Sequence, residues 1–315
     1  MQNSVVEYAE YGSPDVLQIV NVDRPDPQPG EVLLAVKAAG VNPVDTKIRS
    51  GKRATAPLES PARLGADAGA VVEKVGADVS GFNVGDAVIA RGLRGGYATF
   101  VIASPNNLTA KPVGMSFEQA AAVGVPVGTA YQVLRSVGAG SGDTILIHAG
   151  AGAVGQAAIQ FGVAWGATVI ATASPRNHDR LRELGATPVS YGSGLEERVR
   201  EIAPDGVDVA LDAAGTEEAI EVSLAVTSDR KRIVEIVNMA WRDQYGIQAF
   251  TSSIPGYLGD VELRLRVEGV AAMAELFARG QFDLEIAKVF PLSDAAGAHR
   301  LVEAGNIRGK VVLVP

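Results

Sequence analysis

Thr144-Ile-Leu-Ile-His-Ala-Gly-Ala-Gly-Ala-Val-Gly155 sets Gly150, Gly152 and Gly155 in G-x-G-x-x-G spacing. An apolar run precedes the glycines. A helical pattern follows, with Val154, Ala157, Ala158 and Phe161 at i, i+3, i+4 and i+7. Strand, glycine turn and helix in that order predict a dinucleotide-binding unit. Gly150 permits the tight turn, Gly152 lets backbone approach a pyrophosphate, and Gly155 lets the helix lie close to the sheet. Ala153 and Val154 open the helix, whose first N–H groups and positive dipole end suit phosphate. The competing reading is a turn that serves only strand–helix packing, and the flanking strand and helix argue against it.

The next strand, 168–173, ends in Ser174-Pro175-Arg176-Asn177-His178, with no carboxylate before Asp179. An acidic residue there would accept hydrogen bonds from the ribose hydroxyls of NAD(H), whereas a small hydroxyl beside a cation suits the 2′-phosphate of NADP(H). The expected cofactor is therefore NADPH. Ser174 donates to the phosphate, Arg176 pairs with it bidentately, and Tyr191, after the next short strand, closes the pocket. Val237 and Asn238, where the strand 233–237 ends, complete the predicted cofactor set. A solvated loop carrying one surface arginine is the alternative.

Outward from this unit, the rhythm from residue 116 alternates strands (144–149, 168–173, 207–211, 233–237) with helical stretches (154–164, 179–184), which predicts a parallel sheet with right-handed crossovers. Before residue 116 the chain reads as short apolar runs, 17–22, 31–38, 69–75 and 87–90, punctuated by Pro-Gly, Gly-Asp and Gly-Ala, a β-rich pattern. From about residue 261 it reads helix, strand, helix, strand. The predicted class is α/β, with the two ends forming one domain (1–117 and 260–315) and the middle another (118–259).

Composition removes whole classes of function. The chain has no cysteine, so a disulfide framework, a thiolate nucleophile and sulfur-ligated zinc or iron are excluded. Its three histidines, His148, His178 and His299, are far apart in sequence, so a metal centre is not expected. A net charge of −8 with no basic run argues against nucleic acid and anionic membranes as partners. The start, MQNSVVEYAEYG, lacks the pattern of a secretory signal, and the apolar stretch 145–173 is broken by His148, Gln156, Gln160 and several glycines. A cytoplasmic protein is expected.

Further motifs carry a resemblance: Pro29-Gly30-Glu31-Val32-Leu33, Ala38-Ala39-Gly40-Val41-Asn42-Pro43-Val44-Asp45, Gly65-Ala66-Asp67-Ala68-Gly69, Val84-Gly85-Asp86-Ala87-Val88, Gly95-Gly96-Tyr97-Ala98, Gly128-Thr129-Ala130-Tyr131 and Arg308-Gly309-Lys310-Val311-Val312-Leu313. Over nearly its whole length the chain resembles the medium-chain dehydrogenases/reductases, in their zinc-free quinone oxidoreductase and alkenal reductase-like branch. The resemblance implies a GroES-like β-rich catalytic domain around a Rossmann domain, with the active site in the cleft between them. Zinc-dependent members carry Cys where this chain has Asn42 and a His-Glu pair where it has Ala66-Asp67, so no zinc is expected.

What remains is metal-independent transfer of hydride from NADPH to a quinone or an α,β-unsaturated carbonyl, which needs positioning and hydrogen bonding to the oxygen that gains charge. The resemblance puts Asn42 and Asp45 beside the nicotinamide, Thr129 near its carboxamide, and Lys47 at the cofactor or substrate oxygen. These four are the candidate catalytic residues, against a bland reading in which Asn42-Pro43 is a turn that Asp45 holds. Related quinone reductases often have Tyr where this chain has Lys47 and Arg53, which tilts the expectation toward enones. Family members pair through the last Rossmann strand, here 247–253, with Ile247, Ala249 and Ile254 suited to that edge, so a homodimer is expected. Two rivals remain: a stand-alone enoyl-thioester reductase, and a non-catalytic NADPH-binding or sensor protein.

Overall fold

A computed structural model of the chain describes residues 2–53, 56–251, 254, 256–305 and 307–315. Its elements fall into two compact units, Met1–Val125 with Leu284–Pro315, and Pro126–Asp283. The chain begins with β1 (Gln2–Tyr8), β2 (Gln18–Asp23), β3 (Val32–Val41), α1 (Pro43–Arg49), β4 (Ala62–Arg63), β5 (Asp67–Val75), β6 (Ala87–Ala90), β7 (Phe100–Ala103), β8 (Leu108–Ala110) and α2 (Phe117–Ala121). It continues with α3 (Gly124–Ser136), β9 (Thr144–His148), α4 (Ala153–Ala164), β10 (Thr168–Thr172), α5 (His178–Glu183), β11 (Thr187–Val189), α6 (Leu195–Ile202) and β12 (Val209–Asp212). Then come α7 (Glu217–Val226), β13 (Ile233–Glu235), α8 (Trp241–Tyr245), β14 (Gln248–Ala249), α9 (Asp260–Ala278), β15 (Ile286–Pro291), α10 (Ala295–Ala304) and β16 (Lys310–Val314).

In the first unit, the main sheet runs β15-β16-β3-β5-β6-β8, with β7 also on β3. β3 is buried along almost its whole length because β16 and β5 flank it and β7 adds a third partner. Leu34, Val36, Val72, Val88 and Leu313 lie in the core that results. The antiparallel register Val311↔Val41 brings the start of β16 to the end of β3. Lys310, one residue before Val311, thereby comes beside Asn42, one residue after Val41.

The second unit holds a parallel sheet in the order β11-β10-β9-β12-β13-β14. Its central strands carry continuous apolar runs, such as Ile145-Leu146-Ile147, because both faces of a parallel sheet are covered. From β9 the chain moves out through β10 and β11, then returns to β12 on the other side. In open α/β sheets such a reversal marks the crevice, beyond the carboxyl ends of the strands, where ligands bind.

Two elements depart from the sequence expectation. The stretch from residue 260, expected to belong to the catalytic domain, begins with α9, which packs in the second unit: a Cβ on Gly269 would lie 2.5 Å from Tyr131 Cβ of α3. The strand expected over 247–253 is confined to β14, at the sheet edge. Ile247 and Ala249 are buried in the unit's own interior and only Ile254 is exposed, while Ser252 and Ser253 lie outside the described residues. Among the described residues no helix is long and apolar enough to cross a membrane.

Candidate active site

The glycine turn sits at the carboxyl end of β9, where the Gly150 N–H donates to Thr172 O at 2.9 Å and the Ala149 N–H to Thr172 Oγ1 at 3.2 Å. The left-handed conformation of the turn falls on Ala149 (φ 58°) and not on Gly150. Gly150 is needed for space instead, since a Cβ there would lie 2.8 Å from Ala171 Cβ. A Cβ on Gly155 would lie 2.4 Å from Ala149 O, which lets α4 start hard against the turn. Gly152 differs: its Cβ would meet only Ala149 O, at 3.5 Å. That glycine faces open space at the N-terminus of the twelve-residue α4, whose first-turn N–H groups (Ala153, Val154, Gly155) have no helical acceptor.

On one side of the turn, Ser174 and Tyr191 each lie two residues past the paired residues Thr172 and Val189 that end β10 and β11. Ser174 is half-buried and accepts from Asn177 Nδ2 at 3.2 Å, and Arg176 is exposed. Asp179, the first carboxylate after β10, pairs with Arg182 at 2.7 Å. Tyr191 is 55% exposed on a turn that Arg198 holds through the carbonyls of Ser190, Gly192 and Ser193, while Glu218 accepts from the Gly192 N–H at 2.9 Å. Sequence reasoning missed Arg198 and Glu218, which hold the backbone of the loop 190–193 from α6 and α7.

On the other side, the N–H groups of Val237 and Asn238 donate to Glu235 Oε1 in the turn after β13. Thr129 is buried on α3. His148 is buried too and bonds Ser223 Oγ through Nε2 at 3.1 Å.

A second constellation lies in the first unit, around the N-terminus of α1. Asn42 donates from Nδ2 to Asp67 Oδ2 at 2.9 Å and accepts from Lys310 Nζ at Oδ1. Lys310 Nζ is also 3.8 Å from Asp67 Oδ2, and Asp67 accepts from the Val125 N–H at 3.0–3.1 Å. Asp45 Oδ2 accepts from the Asn42 N–H and the Tyr97 hydroxyl, both at 2.8 Å. All five side chains are buried. Burial pushes the Asp45 carboxyl up to about 6; the Asn42 N–H, the Tyr97 hydroxyl and Lys310 pull it down, and Asp67 pushes it further up. Burial lowers the Lys310 ammonium against the pull of Asp67 and Asp45, and raises Tyr97 well above the ordinary phenol value.

The structure thus joins Asn42 with Asp45 and adds Asp67, Tyr97 and Lys310, which sequence reasoning did not select. Lys47 sits on α1, partly exposed, and the cation buried at Asn42 is Lys310.

Residues 28–113 match the family described as Alcohol dehydrogenase GroES-like domain, and residues 184–313 the one described as Zinc-binding dehydrogenase. The chain is 34% identical to the quinone oxidoreductase of Pseudomonas aeruginosa over 330 residues, covering 98% of this chain and 99% of that protein. It belongs to the quinone oxidoreductase family of medium-chain dehydrogenases/reductases. Among solved structures, Escherichia coli quinone oxidoreductase complexed with NADPH aligns at TM-score 0.84 with 29% identity, over 99% of this chain and all of that one. The JamJ enoyl reductase aligns at TM-score 0.85, again with 29% identity, over 100% and 99% of the two chains.

The Zinc-binding dehydrogenase description implies a metal within the superfamily, and the donors here do not fit one. Zinc sites use thiolate, imidazole and carboxylate. In this quinone oxidoreductase-family chain the Asn42 oxygen and Asp67 instead face an ammonium group. Among the described residues no group of three or more His, Cys, Asp and Glu side chains could hold a metal ion.

Proposed function

We propose that the protein is an NADPH-dependent oxidoreductase that reduces quinones and α,β-unsaturated carbonyls without a metal. The observation that carries the reading is the open face of Gly152 at the start of α4, together with Ser174 and Arg176 following the neighbouring strand β10, at the sequence position where a ribose-binding carboxylate would select NAD(H). The NADPH complex of the Escherichia coli relative supports it. Bound NADPH supplies hydride to a carbon already made electrophilic by conjugation, a transfer in which charge delocalises onto the substrate oxygen and solvent supplies the proton.

The chain's residues position that transfer. Gly150, Gly152, Ala153, Val154 and Gly155 receive the pyrophosphate. Ser174 and Arg176 bind the 2′-phosphate, and Tyr191 covers the adenine side. Val237, Asn238 and Thr129 orient the nicotinamide end. Asn42 is held rigid by Asp67 and Lys310 and seats the reacting carbonyl group with Asp45, while Lys47 supports the oxygen that gains charge.

Steady-state NADPH oxidation with a quinone and a 2-alkenal, before and after exhaustive chelation, tests this reading; activity that disappears on chelation and returns with zinc removes its metal-free part. The likeness to JamJ enoyl reductase favours one second reading, reduction of enoyl thioesters. A thioester turned over with kcat/KM far above both other acceptors would establish it. We also propose a cytoplasmic homodimer joined along the β14 edge; a monomer in light scattering at micromolar concentration removes that claim.

A further inference from the structure

β12 and β13 end on carboxylates in register, Asp212 opposite Glu235, and both are fully buried. Each cups the turn that follows its own strand. Asp212 Oδ1 accepts from the N–H groups of Ala214 (2.7 Å) and Gly215 (2.9 Å), as Glu235 Oε1 does from those of Val237 and Asn238. The two turns touch, because a Cβ on Gly215 would lie 2.5 Å from Val237 Cγ1. The other two oxygens, Asp212 Oδ2 and Glu235 Oε2, are buried without a donor among the described residues, although the carboxyl groups are within hydrogen-bonding reach of each other. Two desolvated carboxylates in contact do not both ionise, and a single proton between them supplies the missing donor.

We propose that Asp212 and Glu235 hold one proton between Oδ2 and Oε2, and that this closed pair sets the turn 236–240 in the shape that receives the nicotinamide end of NADPH. The proposal rests on the NADPH reading, and makes both carboxylates positioning residues that act through the backbone of Val237 and Asn238. Burial first, and the Asp212 charge second, push the Glu235 carboxyl up to about 8, against the pull of the two N–H groups. The other titratable groups facing the pair among the described residues are His148, the register neighbour of Asp212 on β9, and beyond it Glu218 on α7. Burial lowers the His148 pKa, so it stays neutral and contributes no cation. β14 sets Ala249 opposite Glu235 and contributes no charge.

Loss of the proton in alkaline solution leaves two like charges in contact and drives the two turns apart. With a titration near pH 8, the competent fraction at pH 9.5 is a few per cent, so the NADPH Kd rises about 30-fold between pH 7 and pH 9.5. Glu235→Gln keeps an acceptor for the Val237 and Asn238 N–H groups and donates a non-titrating N–H to Asp212. It is expected to bind NADPH within about threefold of wild type at pH 7 and to show a flat profile up to pH 9.5. Glu235→Leu, which offers neither, is weak at every pH.

A second arm uses the cofactor-free protein: wild-type Tm falls relative to Glu235→Gln as pH rises from about 4.5 to 8, because the folded chain keeps a proton that the unfolded chain has released. Parallel Tm curves overturn the shared proton. A Glu235→Gln binding profile as steep as wild type overturns the positioning role while leaving the cofactor reading intact. Absence of NADPH binding at every pH overturns the cofactor reading and the positioning role together.

Discussion

Lys310 donates to the side-chain oxygen of Asn42, and the bond closes over 268 residues of sequence. It joins the start of β16 to the end of β3 and leaves Asn42 no freedom to turn, because Asp67 holds its amide nitrogen. Lys310→Met removes the charge that lies 3.8 Å from the buried Asp67 carboxylate. Breaking a buried pair from one side costs about 3–5 kcal/mol. Urea denaturation reads the loss, and adding Asp67→Asn is expected to recover part of it. A loss below about 1 kcal/mol would mean that the ammonium does not stabilise this corner.

The Asp45 carboxyl, with an ordinary value of 3.8 and a native value of about 6, makes stability depend on pH with a definite sign. Between those values the folded chain holds a proton that the unfolded chain has released, so stability falls as pH rises through the window and levels off above it. The fall is on the order of 3 kcal/mol. Asp45→Asn keeps an acceptor for Asn42 and Tyr97 but cannot titrate. Unfolding free energies of wild type and variant, measured from pH 4 to pH 7, are expected to draw apart in that window. Curves that stay parallel count against a protonated Asp45.

The glycines of the turn separate cofactor binding from folding. Gly155→Ala drives a methyl to 2.4 Å from the Ala149 carbonyl and is expected to lower Tm sharply. Gly152→Ala meets only one atom, at 3.5 Å, so Tm changes little while NADPH affinity falls. Equal effects of the two substitutions on Tm would assign both glycines to internal packing.

Arg176→Ala removes a charge-assisted contact worth about 1.5–3 kcal/mol, which is roughly 10- to 150-fold in NADPH KM. NADH, which lacks the 2′-phosphate, is expected to be nearly unaffected. Steady-state KM values for the two cofactors decide it, and equal changes would move the phosphate site elsewhere.

Local pattern was legible in the sequence wherever one element carries it. The strand–turn–helix of 144–164 and the alternation that gives the parallel sheet follow from spacing, whereas Asn42 and Asp45 come from the family resemblance, and α1, which Asn42 caps, is not marked by the local pattern. What escaped depends on register between distant strands. Lys310 is a lysine in an apolar run until β16 pairs with β3. Tyr97 meets Asp45, and Asp212 meets Glu235, only once their strands and loops are assembled. The left-handed alanine at 149 escaped for another reason, because residue type predicts glycine in that conformation and Gly150 stands next to it. The placement of α9 turns on Tyr131 against Gly269, a contact across more than a hundred residues that no local composition shift marks.

Hydride transfer itself is tested most directly with NADPH carrying deuterium at the transferable C4 position and a 2-alkenal as acceptor, with the saturated product analysed by mass spectrometry. One deuterium at the β-carbon, from metal-free protein and with NADPH strongly preferred over NADH, is the predicted result. NADPH that binds without yielding reduced product from alkenals, quinones or enoyl thioesters would contradict the account and leave a cofactor-binding protein without turnover.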